Sequence, residues 1–149
     1  MRTEKLMGSE LLNSGANLRV FVDASDLTEA TANTAQTLNL FNVKKGTVVK
    51  LIGMRLMDAF QNAADSAFNS TTIKVGDGSS AARYLAATEL NVNGSEVEAA
   101  AGTGTAYAYT EDDTVDAVVS AMAEKSLKSI GKGCVMLLFK IFELDEYRG

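Results

Sequence analysis

Apolar and polar residues alternate with a period of two along much of this chain, and the alternation predicts strands. Leu18-Arg19-Val20-Phe21-Val22-Asp23 is a strand pattern built from β-formers. Over residues 37–43, Leu38 and Leu40 fall on one face and Thr37 and Asn39 on the other. Lys44-Lys45-Gly46 then signals a turn, and residues 47–57 form a long β-rich run interrupted by Gly53. The two runs together predict a hairpin bent at Gly46. A further strand over 70–75 is closed by Gly76-Asp77-Gly78-Ser79. Residues 83–92 read as a kinked strand ending at Asn93-Gly94, and 105–110 alternate small with aromatic side chains. From Cys134 to Leu144, behind Gly133, apolar residues occupy both faces. That is the pattern of a central strand covered on both sides.

Three stretches read differently. Residues 24–35 are a short helix capped by Ser25 or Asp26, or a polar loop. Residues 58–69 place Phe60, Ala63, Ala64 and Ala67 at helical spacing, a short helix or compact loop anchored by Phe60 and Phe68. Over 114–131, Val115, Val118, Val119, Met122 and Ile130 fit a helical stripe capped by Asp113 or Thr114 and stopped at Gly131. A strand over 115–122 followed by one helical turn is the other reading; local pattern favours the helix. Residues 96–103 are Ala- and Gly-rich and expected to be exposed. With many strands, glycine turns and no βαβ alternation, the expected class is all-β: a jelly-roll-like β-sandwich with short helical turns. One domain over 18–149 follows an N-terminal arm over 1–17.

Composition narrows the chemistry. The 149 residues contain no His, Trp or Pro and one cysteine, Cys134. Without His there is no Ser-His-Asp or Cys-His nucleophile and no His-ligated zinc site. A lone cysteine makes no internal disulfide, and at the start of an apolar strand it reads as a small core residue. Net charge is −5, with no run of Lys or Arg. Between Tyr84 and Glu124 there are only acids, so that surface should repel nucleic acid and anionic lipid. No apolar run approaches the roughly 20 residues that span a bilayer, and the start lacks a secretory pattern. The expectation is a cytoplasmically made protein, not an enzyme, with no cofactor, nucleic acid or membrane partner.

Each candidate motif has a plain reading. Gly76-Asp77-Gly78 and Gly102-Thr103-Gly104 lack the GxGxxG and Walker patterns, and are turns whose glycines permit positive φ. Gly46, Gly76, Gly78, Gly94 and Gly133 are the expected structural turn positions. Glu111-Asp112-Asp113-Thr114-x-Asp116 lacks the ligand alternation of a calcium loop. Asp23, Asp26 and Glu29 give no sign of a catalytic pair. Tyr107, Tyr109, Phe139 and Phe142 suit core or subunit packing better than base stacking. Leu6, Met7, Leu11 and Leu12 stand out as large apolar residues in the arm. They are the candidate interface with another molecule, or they fold back on the sandwich.

The run of Val48–Gly53, Ala59-Phe60, Phe68-Asn69, Ile73-Lys74-Val75-Gly76-Asp77-Gly78 and Asn91-x-Asn93-Gly94 carries a resemblance, as does Ser126-Leu127-x-x-Ile130-x-x-Gly133. Over residues 18–144 the order resembles the head decoration, or cement, proteins and head fibres of tailed bacteriophages. The resemblance implies a jelly-roll-like sandwich bound to the outer capsid surface as a homodimer or homotrimer. It implies a virion protein, made in the host cytoplasm, that cements neighbouring copies of the major capsid protein. It also implies a strand over 115–122, against the local helical pattern. No residue role transfers with it. The alternative is a phage tail or fibre module that recognises a host surface or glycan.

Overall fold

The computed structural model describes residues 1–62, 71–91 and 99–147. In chain order the elements are β1 (Arg2–Lys5), α1 (Ser9–Ser14), β2 (Leu18–Asp23), β3 (Gln36–Val43), β4 (Thr47–Gln61) and β5 (Thr72–Asp77). They continue with β6 (Leu85–Glu89), β7 (Ala99–Ala101), β8 (Tyr107–Ala108), β9 (Asp113–Val119) and β10 (Lys132–Glu143). One antiparallel sheet has the order β1-β2-β10-β4-β7, with β8 also on β4; the other has the order β3-β9-β5-β6. The chain is a β-sandwich. Most connections cross from one sheet to the other, as in a jelly roll.

Alternation along the strands explains the core. Val20 and Val22 from β2, Val49 and Leu51 from β4, and Val135, Leu137 and Phe139 from β10 point inward. They meet Ile73 and Val75 from β5 and Val115, Ala117 and Val119 from β9 in one cluster. Phe41 and Phe139 bridge the sheets edge to face at 5.0 Å between ring centres. A β-bulge in β4, between the pairs Leu138↔Gly53 and Phe139↔Leu51, keeps both halves of that long strand in phase with the core.

Several sequence expectations are corrected. The runs on either side of Gly46 form no hairpin: β3 pairs with β9 and β4 with β10, in different sheets. Gly46, at φ +92°, instead carries the chain across, donating to the Tyr109 carbonyl. The helix expected from residue 58 is absent up to Asn62, because β4 runs to Gln61 with Phe60 buried in it. The rest of that stretch, with Phe68, lies outside the described residues, as does Gly94. Residues 113–119 are strand, as the resemblance implies and against the local helical pattern: pairing with β3 on one side and β5 on the other selects the period-two set Val115, Ala117 and Val119. Residues 24–35 open with a 3-10 turn, Ala24–Asp26, followed by irregular chain. β10 is central but covered unequally. Its outward residues Met136, Leu138, Lys140 and Phe142 are only half-buried.

Candidate interaction surface

The segment before β2 folds back on its own sheet. β1 pairs antiparallel with β2, from Arg2↔Phe21 to Lys5↔Leu18. Leu6 is 4% exposed, and its N–H donates to the Asn17 carbonyl. Asn17 stitches this region to β10: its N–H donates to Phe139 O, its side-chain amide donates to Ile141 O (2.6 Å), and its Oδ1 accepts from Ile141 N–H (2.8 Å). A groove of about 400 Å3 lies beside it, lined by Lys5, Leu6, Met7, Asn17, Leu18 and Ile141.

The candidate interface residues therefore separate. Leu6 is core and Leu11 is half-buried, whereas Met7 is 76% exposed and Leu12 85% exposed. Helix α1 has no buried residue. Six residues are far fewer than the roughly 12–15 an isolated helix needs, so its place is set by its ends. Gly15 closes it in the left-handed conformation, donating to Leu11 O. Leaving a leucine in water forgoes about 1.5–3 kcal/mol of burial.

Beneath α1, the register of β1, β2, β10 and β4 lays out the outward face of the sheet in rows. Arg2, Phe21, Met136 and Arg55 lie side by side, then Glu4, Arg19, Leu138 and Gly53, then Lys140 opposite Lys50, then Phe142 opposite Val48. The Arg2 guanidinium sits 4.0 Å over the Phe21 ring, and Arg19 pairs with Glu4. A second groove runs between α1 and this face, lined by Leu6, Glu10, Asn13, Arg19, Met136 and Leu138 among others.

At another edge is a polar clasp that the sequence did not reveal. Asp77, whose side chain is fully buried, accepts the Ser79 and Ser80 N–H groups, ion-pairs with Arg83 and accepts the Tyr109 hydroxyl at 3.0 Å. The Tyr84 hydroxyl lies 2.6 Å from that of Tyr109, and Arg83 stacks 3.6 Å over Tyr107. Burial alone would raise the Asp77 pKa, but Arg83, Ser80, Tyr109 and Ser79 outweigh it and hold the carboxyl below its usual value. Burial pushes the Tyr84 phenol up to about 12. The clasp ties the β5–β6 turn of one sheet to the β7–β8 segment of the other, where Thr103 also bonds to Tyr84 O and Arg83 O. Gly76 serves this turn differently from the expectation: its φ is not positive, but a Cβ there would run into the Ser80 carbonyl oxygen.

The remaining candidates land apart. Cys134 is half-buried on the outward face beside Asp23 rather than in the core, and burial pushes its thiol up to about 11. Asp26 accepts the Asp23 N–H, and Asp112 accepts the Lys45 N–H. Gly78 lies beside the Asp113 carboxylate and Gly133 against the Phe60 ring. Among the described residues no three metal-ligating side chains converge, and no helix is long and apolar enough to cross a membrane.

Neither a family model nor a curated protein matches the sequence. Solved structures do. A chain of the cyanophage Pam1 capsid asymmetric unit superposes with a TM-score of 0.57 at 23% identity, covering 85% of this chain and 81% of that one. A chain of the acid-stable capsid of Helicobacter pylori bacteriophage KHP30 gives a TM-score of 0.46 at 15% identity, covering 95% and 98%. The Pam1 chain has the same fold.

Proposed function

We propose that this chain is a structural virion protein that binds the outer surface of a phage capsid and cements neighbouring capsomers, acting by adhesion rather than catalysis. The observation that carries the reading is the fold shared with a chain of the cyanophage Pam1 capsid asymmetric unit. The exposed Met7 and Leu12, on a segment tied to the central strand, supply the adhesive apolar surface. Packaged genome presses outward on a shell, and a subunit bridging two capsomers resists by making their separation expose buried surface. At about 25 cal/mol per Å2, a few hundred Å2 of apolar contact contributes several kcal/mol before association costs. Assembly of the bridge as a dimer or trimer makes later contacts intramolecular and multiplies avidity.

The test is to mix the purified protein with capsids lacking it and image the particles by cryo-electron microscopy. Many copies at fixed positions over the shell are the expected result. A few copies confined to the tail would replace this reading with host recognition by a tail or fibre module, and absence from the particle would end both.

A further inference from the structure

The two outward faces of the sandwich differ in charge, and the difference is hidden in the chain's overall −5. On the β3-β9-β5-β6 sheet the outward residues include Thr37, Asn39, Asn42, Thr72, Thr114, Asp116 and the half-buried Val118, with Lys74 as a cation. Burial, with Asp113 and Asp77 nearby, raises the Asp116 pKa. On the opposite sheet the outward cations fall into two sets. Arg2 and Arg19 share Glu4, and Lys132 faces Asp58 at 3.6 Å. Lys50, Lys140 and Arg55 have no carboxylate partner among the described residues.

Lys50 and Lys140 are the unusual pair. They stand directly opposite each other on adjacent central strands, both half-buried. Like charges in that relation destabilise a sheet, whereas opposite charges stabilise it. Among the described residues no carboxylate compensates them, while apolar side chains border them on both sides, Leu138 in one row and Phe142 in the other. An uncompensated cation pair framed by apolar groups suits a surface that supplies carboxylates and apolar contact together.

From this juxtaposition we infer that the outward face of the β1-β2-β10-β4 sheet is the docking face, and that its occupant is an acidic, apolar-bordered patch on the capsid shell. This rests on the proposed function and adds which face meets the shell; the Thr- and Asn-rich face then points to solvent. A nucleic-acid partner fits less well, because phosphate tracking needs a dense basic stripe and this chain is acidic overall.

Three variants of the full chain decide the matter: Lys140→Glu, Arg55→Glu and, on the other face, Lys74→Glu. Lys140→Glu places a carboxylate opposite Lys50, so Tm should rise by about 1–4 °C. Its affinity for empty capsids should nevertheless fall about tenfold or more, and the salt dependence of binding should weaken. Arg55 is exposed, so Arg55→Glu keeps the fold and should weaken binding likewise, whereas Lys74→Glu should bind as wild type does. Wild-type binding that Lys140→Glu and Arg55→Glu leave untouched would overturn the face assignment alone. Wild-type protein that never binds capsids would overturn the proposed function and this inference with it. Tight wild-type binding to duplex DNA at physiological salt, lost in Lys140→Glu, would transfer the face to nucleic acid and overturn the assigned partner.

Discussion

The carboxylate of Asp77 collects donors from its own turn, from Arg83 and from Tyr109, 32 residues away. Its pKa lies below the ordinary 3.8. A depressed carboxyl pKa means the folded state favours the charged form, so the contribution is present above the unfolded value and lost as pH falls through the folded one. Asp77→Asn should therefore cost roughly 3 kcal/mol at pH 7, near the low end for breaking a buried pair. Arg83 keeps 22% of its side chain in water, which moderates the loss. In urea titrations the gap between variant and wild type should narrow below pH 3.8; a gap constant from pH 7 to pH 3 would refute the charged role. Sequence reading identified Gly76-Asp77-Gly78 as a turn but not as a clasp. The turn signal is local, whereas Tyr84 and Tyr109 reach Asp77 only through the assembled sandwich. Cys134 failed for a related reason: an apolar run says a residue is on a strand, not which face it occupies.

β2 was legible to the residue because alternation and β-formers coincide there, and Leu18–Asp23 is what the structure contains. The hairpin at Gly46 was not. A glycine turn between two runs says that the chain bends, not that the runs pair, and the partners β9 and β10 lie far downstream. β9 shows the opposite failure. Its valines satisfy both periods, and only its two neighbours choose between them. For β10, the apolar pattern on both faces overstated the outer cover, and this has a measurable consequence. Leu137 is fully buried and Leu138 faces outward, half-buried. Leu137→Ala should cost about 2–5 kcal/mol, and Leu138→Ala less than half as much. Equal denaturation midpoints for the two variants would mean that the outer face is covered as completely as the core.

At the scale of the whole molecule, one core welds the sandwich together, while the proposed adhesive residues Met7 and Leu12 sit on a segment that contributes little to it. Leu6 and Asn17 anchor the N-terminal segment, so α1 is held in place without burying its own apolar residues. Anchorage and exposure are thus separated within a dozen residues, and stability and adhesion should separate with them. Met7→Ser with Leu12→Ser removes two side chains that water already surrounds, so stability should stay within about 0.5 kcal/mol of wild type, as for surface changes generally. Occupancy on empty capsids should drop markedly, because each lost large apolar side chain forgoes about 1.5–3 kcal/mol if it is fully buried in the bound state. Leu6→Ser should do the reverse of this first, lowering the melting temperature before any capsid is added, since that side chain is already inside. Binding by the Met7/Leu12 double variant at wild-type occupancy, with its melting temperature unchanged, would remove α1 from the adhesive surface and leave the sheet beneath it to make the contact.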